Sequence, residues 1–345
     1  MVRNELRYYG VGVCATTNMT KRVLSGIRAN GRLHLGNYLG AVKGMLALQE
    51  DPSYETFYMV ADLHSINVPY NPENFQAAVR DVVLDYLSAG LDPEKSTIFI
   101  QSQVPQHVEL SYLFSTVITV ARMQHLPTFK EKVKSYPENV NMALLYYPVL
   151  MAADILAYKA SLVPVGIDQE PHLEVAREVA QKMNDRYGLN LPEPQRFATS
   201  GEYVPSLTGE GKMAKSVEGS AILLTDSLET IRERLARVPT DSGKGESVPI
   251  EGGVASLLKF AELFLGDTRV HELKEQYTTS GIRYGDLKAE IAEAIFAELK
   301  PIQQRRTALE ADIEKVDRII LEGAGKARKV ASQTVVEVKK VMGLL

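Results

Sequence analysis

The side chains best suited to phosphate chemistry lie in two short motifs, HLGN at residues 34–37 and KMAKS at residues 212–216. His34 and Asn37 are three apart, so on a first helical turn both can donate toward one polyphosphate. A helix start adds free amide N–H groups and the positive end of the dipole, and Gly36 lets a nucleotide approach the backbone closely. Lys212 and Lys215 can bracket a pyrophosphate group and stabilise the charge that develops as it departs. Gly209 and Gly211 would let their loop close. Each motif also fits a plainer role: a helix start with a surface His and a capping Asn, or a solvated linker with two lysines. The string around Lys212 does not complete a Walker A loop, because Met213 follows the lysine.

These motifs need a frame of strands and helices. Residues 22–27 read as a first strand that enters a turn at Ala29-Asn30-Gly31. A helix should begin near Gly36, with Tyr38, Leu39, Val42, Met45 and Leu46 on one face. Residues 56–61, 96–101 and 162–167 read as further strands. Residues 72–87 form an amphipathic helix opened by Pro72, with Phe75, Val79, Val82, Val83, Tyr86 and Leu87 at helical spacing. Strands alternating with helices predict an α/β fold with a Rossmann-like, doubly wound parallel sheet. After about Thr225 the pattern is helical only, over 228–238, 254–264, 284–299 and 301–341, with turns at Gly243-Lys244-Gly245 and Gly252-Gly253. Ala327, Ala331, Val335, Val338 and Met342 recur at helical spacing, so the last helix needs a partner surface. It also carries Lys326, Arg328, Lys329, Lys339 and Lys340 against Glu337.

Bulk properties narrow the class. At 345 residues the chain can hold two domains. The single cysteine, Cys14, excludes an intrachain disulfide framework and any multi-cysteine metal site, which fits a reducing, cytoplasmic compartment. A net charge of −4 argues against coating nucleic acid non-specifically, while leaving room for a local RNA-binding patch. The most apolar run, residues 142–153, is too short to span a bilayer and ends at Asp154, so no membrane contact is expected. Residues 1–18 lack the apolar core of a secretion signal. Met19 is an alternative start, and an organellar presequence is an alternative reading of the same stretch.

HLGN and KMAKS together resemble the HIGH and KMSKS signatures of class I aminoacyl-tRNA synthetases. The wider strings SGIRANGRLHLGNYLGA, ADLHSIN, YYPVLMAADIL, VPVGIDQ and EGAGKARKVA look like the bacterial type of tryptophanyl-tRNA synthetase, colinearly from about Arg22 to Leu345. The resemblance implies ATP with Mg²⁺, L-tryptophan and tRNA(Trp) as partners, a tryptophanyl-adenylate intermediate, and a homodimer. It divides the chain into an extension over 1–20, a catalytic domain with a connective insertion over 21–224, a helical anticodon-binding domain over 225–311, and helices over 312–345 that pack back on the body.

Carried over by position, His34, Asn37, Lys212 and Lys215 would be catalytic. Arg28, Ala29, Asn30, Gly36, Asn37, Gly166, Ile167, Asp168, Val204, Lys212, Met213, Ala214, Lys215 and Ser216 would contact ATP, with Asp168 on the ribose. Lys132 would reach the phosphates. No protein metal site is implied, since Mg²⁺ would come on the ATP phosphates. Asp154, Met151, Leu24, His64, Val165 and Gln169 would bind tryptophan, with Val163 another wall and His172 a further contact to the amino group. Indole has one N–H donor and no acceptor, so a carboxylate at the end of an apolar slot suits it. Asp154 also fits a surface position on an amphipathic helix, and His64 a structural histidine at the sheet edge beside Asp62.

Three positions depart from the signatures: Asn37 for the second His, Arg28 for the usual Gln after SGI, and Ala214 for the middle Ser of KMSKS. Tyrosyl-tRNA synthetase shares the fold but typically carries Gln and Tyr where Ala152-Ala153 stand. Small residues there leave space for a two-ring side chain. A paralogue that binds RNA or protein without catalysis is a third reading. A small HxGH nucleotidyltransferase is a fourth, but it would not explain the helical half.

Overall fold

Apolar side chains on both faces of each strand demand helices above and below the sheet. The computed structural model, which describes residues 20–198, 201 and 203–345, supplies them. The extension read over residues 1–20 lies, apart from Thr20, outside the described residues, as does Cys14. In chain order the elements begin with β1 (Lys21–Arg28) and α1 (Leu35–Asn37), which runs through a π turn at Tyr38–Val42 into α2 (Lys43–Gln49). Next come β2 (Tyr54–Ala61), α3 (Asp62–Ser65), α4 (Pro72–Ala89), β3 (Ser96–Ile100), α5 (Gln106–Ser115), α6 (Val120–Gln124), α7 (Pro127–Ser135) and α8 (Met142–Ala157). β4 (Leu162–Pro164), α9 (Glu170–Tyr187) and β5 (Gln195–Phe197) complete the sheet region. α10 (Leu228–Ala236), α11 (Gly252–Leu265), α12 (Asp267–Thr278), α13 (Tyr284–Glu310) and α14 (Ile313–Val341) follow without a strand.

The sheet order is β3-β2-β1-β4-β5, with every pairing parallel. This is the doubly wound, Rossmann-like class expected. The order reverses between β1 and β4, which opens a crevice beyond their carboxyl ends where such sheets bind ligands. Alternate strand residues feed two cores. Val23, Tyr58, Val60 and Ile98 face α4 and the helical half, whereas Leu24, Phe57, Met59 and Phe99 face α8, α9 and α14.

The differences from expectation have local causes. β4 stops at Pro164 rather than residue 167, because the chain turns into a 3-10 segment at Ile167–Gln169. The three residues of β5 carry no alternation to read, and α12 buries only Val270, Leu273 and Tyr277 in a largely polar sequence. α13 runs through Pro301, whose missing N–H leaves the Ala297 carbonyl on an exposed face where water can serve it. The break comes at 311–312, where the Asp312 side chain caps α14 by accepting the Lys315 N–H. The π turn shifts the face after Val42, so Met45 and Leu48 are buried and Leu46 only partly so. α14 does find its partner surface: Ala327, Ala331, Val335 and Val338 join the second core, and Met342 lies against it. Gly323 lets this helix lie directly on β3, since a Cβ there would come within 1.8 Å of the Ile98 carbonyl oxygen.

Candidate active site

Backbone bonds join HLGN to the segment that follows KMAKS. Leu35 N–H donates to Ile222 O at 2.8 Å and Leu224 N–H to Leu33 O at 3.0 Å, an antiparallel bridge that pairs His34 with Leu223. Lys215 Nζ donates to Asn30 O at 2.5 Å and Arg32 O at 2.7 Å, so the KMAKS loop rests on the turn after β1. That turn is pinned from below by Ser65 Oγ, which accepts the Ala29 N–H at 2.7 Å and donates to Ala61 O. Asn37 Oδ1 accepts the His34 N–H at 3.2 Å, which leaves its amide NH₂ for a ligand. Gly36 has a more specific reason than nucleotide approach: a Cβ there would lie 2.9 Å from the His34 ring. His34 Nδ1 is buried without a partner among the described residues.

Within the KMAKS loop the roles divide. Met213 is buried and its N–H donates to Val204 O at 2.9 Å, so Met213 and the fully buried Val204 hold the loop in place. Ala214 N–H donates to Ser220 Oγ at 3.1 Å. Lys212, Lys215 and Ser216 remain exposed. Lys212 Nζ lies 3.4 Å from Asp168 Oδ1 across the crevice, and a Cβ at Gly166 would collide with that carboxylate. Ile167 is exposed beside it. Lys132 and Arg28 face each other's charge; burial, then Arg28, lowers the Lys132 pKa. Neither makes an ion pair among the described residues, so this side of the crevice offers two cations to an anion.

Asp154 lies deeper than an open slot would place it. It is completely buried, which excludes the surface position. Gln101 Nε2 approaches both carboxylate oxygens at 2.9 Å, His64 Nε2 lies 2.7 Å from Oδ2, and His107 Nδ1 lies 2.8 Å from Oδ1. Gln101 is oriented by its own Oε1, which accepts the Leu63 N–H, and His107 Nε2 meets the Tyr158 hydroxyl at 2.7 Å. Burial alone would raise the Asp154 pKa; the two histidines outweigh it and hold the carboxyl below the usual range. His64 is the partner nearest the surface, whereas Gln101 and His107 are wholly enclosed. Asp62, by contrast, is structural: its Oδ1 accepts the Leu63 and Ser102 N–H groups.

Of the other residues expected at tryptophan, Met151, Val165 and Gln169 keep exposed surface, while Leu24 and Val163 form the wall behind them. Ala152 and Ala153 are fully buried and shape the site from behind rather than lining it. Gln169 Nε2 donates to Asp168 at 2.6 Å, and its Oε1 lies 3.1 Å from His172 Nδ1. His172 Nε2 meets the Tyr147 hydroxyl at 2.7 Å, and the Tyr147 ring stands edge-on to His64. A chain of polar groups thus runs from the nucleotide side to Asp154. Gln101, His107 and Tyr158, which hold or adjoin Asp154, were not among the residues the sequence pointed to. Each lies distant in sequence from its partner, so no local spacing marked it.

Burial, then the Lys215 and Lys212 charges, depresses His34 to about 4, and burial, then His64, does the same to His172. Both imidazoles are neutral at pH 7, and protonation favours the unfolded chain. Their contribution to stability is complete above the ordinary value of 6.5 and is lost as pH falls toward 4. The melting temperature should therefore be level from pH 7 to 8 and drop below pH 6.5, with up to about 3 kcal/mol lost per histidine. His172→Gln should flatten that drop; an identical acid slope in parent and variant would contradict the assignment.

A parallel sheet whose switch point seats the KMAKS loop on the turn that leads into HLGN is decisive when set beside known proteins. The family model for tRNA synthetases class I (W and Y) matches residues 16–300. The chain belongs to that family. This synthetase is 40% identical over 326 residues to the tryptophan–tRNA ligase of Porphyromonas gingivalis, covering 93% of this chain and 98% of that protein. It resembles the solved tryptophanyl-tRNA synthetase of Mycoplasma pneumoniae at a TM-score of 0.83 and 32% identity, over 95% of this chain and 99% of that one. The Campylobacter jejuni synthetase, solved with ADP and tryptophan, matches at a TM-score of 0.79 and 31% identity, over 94% and 100% of the two chains.

Proposed function

We infer that the chain activates L-tryptophan with ATP and transfers it to tRNA(Trp). The observation that carries this reading is the contact between the motifs: Lys215 rests on the turn after β1, and His34 pairs with the strand-like segment that follows the KMAKS loop. The tryptophan carboxylate attacks the α-phosphate, the bond to the β-phosphate breaks, and pyrophosphate leaves. Neutral His34 and the Asn37 amide donate to the phosphates without adding charge. Lys212 and Lys215 neutralise the departing pyrophosphate, and Arg28 and Lys132 face the reacting groups from the other wall. ATP draws Lys212 from Asp168, which then accepts from the ribose hydroxyls. Mg²⁺ travels with the triphosphate; among the described residues no group of three His, Cys, Asp or Glu side chains could hold a metal alone.

Tryptophan lies against Met151, Val165 and Leu24, with Gln169 near its amino group. Gln101, His64 and His107 crowd both carboxylate oxygens of Asp154 in this structure, so indole N–H reaches it by displacing His64, the outermost partner. The terminal ribose hydroxyl of the tRNA then attacks the adenylate carbonyl, the bond from that carbonyl to the phosphate oxygen breaks, and AMP leaves. Residues 21–224 serve as the catalytic domain, residues 225–311 read the anticodon, and residues 312–345 brace the sheet. Exposed Val108 and Tyr112 on α5, Val120 on α6 and Met142 at the start of α8 support a homodimer through that face. No helix among the described residues is long and apolar enough to cross a membrane; the reading of a cytoplasmic enzyme rests on its tRNA substrate.

Aminoacylation of tRNA(Trp) with tryptophan, with tyrosine in parallel, tests the reading. Tryptophan alone should be charged; a chain that charges tyrosine equally well, or charges neither, would refute it. Binding of tRNA should weaken as salt rises despite the acidic net charge, because phosphate contacts release counterions. Lys326 and Lys329 are exposed and available for such contacts, whereas Arg328 is turned inward to Gln103 O at 3.3 Å. Lys326→Ala/Lys329→Ala should lower the salt slope, and binding that ignores salt would argue against an RNA held by its phosphates.

A further inference from the structure

Asp85 lies outside the nucleotide turn yet is bonded to it. It stands on α4, completely buried, and its Oδ2 accepts the N–H of Leu33, the residue before HLGN, at 2.5 Å. Its Oδ1 accepts from Arg306 Nη1, which reaches across from α13. Arg306 also binds Asp81 through Nη2 and Glu310 through Nε. Nearby on α13, Gln303 Nε2 donates to Leu224 O and Asp226 O at 2.9 Å each, and Leu224 holds the Leu33 carbonyl. Both polar groups of the Leu33 backbone are therefore fixed by groups that α13 holds.

Stability alone does not account for a carboxylate here. A buried ion pair can often be replaced by apolar side chains of similar volume without loss. What apolar residues cannot supply is an acceptor that holds the Leu33 amide and the guanidinium together. Burial lifts Asp85 to about 6 although Arg306 opposes it, so the group is ionised near pH 7.5.

We propose that Asp85 is a positioning residue for the nucleotide: anchored by Arg306 on α13, it fixes the Leu33 amide and thereby the pose of His34 and Asn37. The proposal rests on the reading of residues 34–37 as part of the ATP site. Asp85→Leu/Arg306→Met exchanges the charges for apolar packing and should melt near the parent temperature. In tryptophan-dependent pyrophosphate exchange its KM for ATP should rise about tenfold while its KM for tryptophan stays within about twofold.

Asp85→Asn/Arg306→Met restores an oxygen for the Leu33 N–H and should return the KM for ATP to within about threefold of the parent. A parent-like KM for ATP in the leucine variant, equal rises in both KM values, or no rescue by asparagine would overturn the proposal. Arg306→Lys keeps the charge without the planar fork and carries the test should the leucine variant not fold. Its KM for ATP should rise about two- to threefold while its KM for tryptophan holds, and an unchanged ratio of the two would overturn the proposal. Calorimetric ATP binding by the parent and the leucine variant reads the same change without catalysis. A chain that bound ATP but exchanged no pyrophosphate would refute the functional reading and leave this test standing.

Discussion

Lys215→Ala is expected to slow tryptophan-dependent pyrophosphate exchange on the order of 10²–10³, with little change in tryptophan affinity. The side chain is exposed at its loop, and its ammonium sits on the carbonyls of Asn30 and Arg32 at the mouth of the crevice. Its charge matters most when pyrophosphate departs, so the loss should fall on the rate rather than on the KM for tryptophan. The same change frees the KMAKS loop from the turn after β1, which adds to the effect. Equal rates in variant and parent would reduce the loop to a connector. Ala214→Ser is the companion: the Ala214 N–H is already held by Ser220, so a hydroxyl there should alter the rate only modestly.

Removal of the Asp154 side chain should affect both folding and specificity. Asp154→Ala leaves His64, His107 and Gln101 without their shared acceptor, a cost of about 3–5 kcal/mol for breaking a buried charged network on one side. Tryptophan's KM should rise steeply, and discrimination against phenylalanine should fall because the site no longer rewards an N–H donor. Asp154→Asn keeps one accepting oxygen but turns an NH₂ toward other donors, so it should be impaired in the same direction and by less. The KM for ATP should hardly move in either. Activation of tryptophan by Asp154→Ala at the parent KM would show that the carboxylate serves only the fold.

Much of the sheet was legible because its strands are short apolar runs bounded by turn residues, and α4 because Pro72 and a regular stripe mark its start and face. The phosphate motifs were legible for a similar reason: each is a local string whose meaning depends on neighbours in sequence. β5 was not, since its three residues carry no pattern. The environment of Asp154 was also hidden. The sequence suggested an indole N–H as its partner, whereas Gln101 and His107 reach it from the segment after β3, more than forty residues earlier. Gly36 also has a neighbour that its own motif did not reveal, the His34 ring that a Cβ there would meet. Asp85 looked like one more polar residue on an amphipathic helix, and only the fold brings Leu33 and Arg306 to it.

The seat of Gly323 on Ile98 bears on how the protein is made. β3 leaves the ribosome well before the helix that covers it is translated. Until then the outer strand and the apolar flank of α8 are open to water, and the nucleotide turn still lacks Gln303 and Arg306. A nascent chain can wind its sheet early, but it acquires a working site only once α13 and α14 have been made. A stop ahead of α13 therefore yields a sticky, inactive fragment rather than a shortened enzyme.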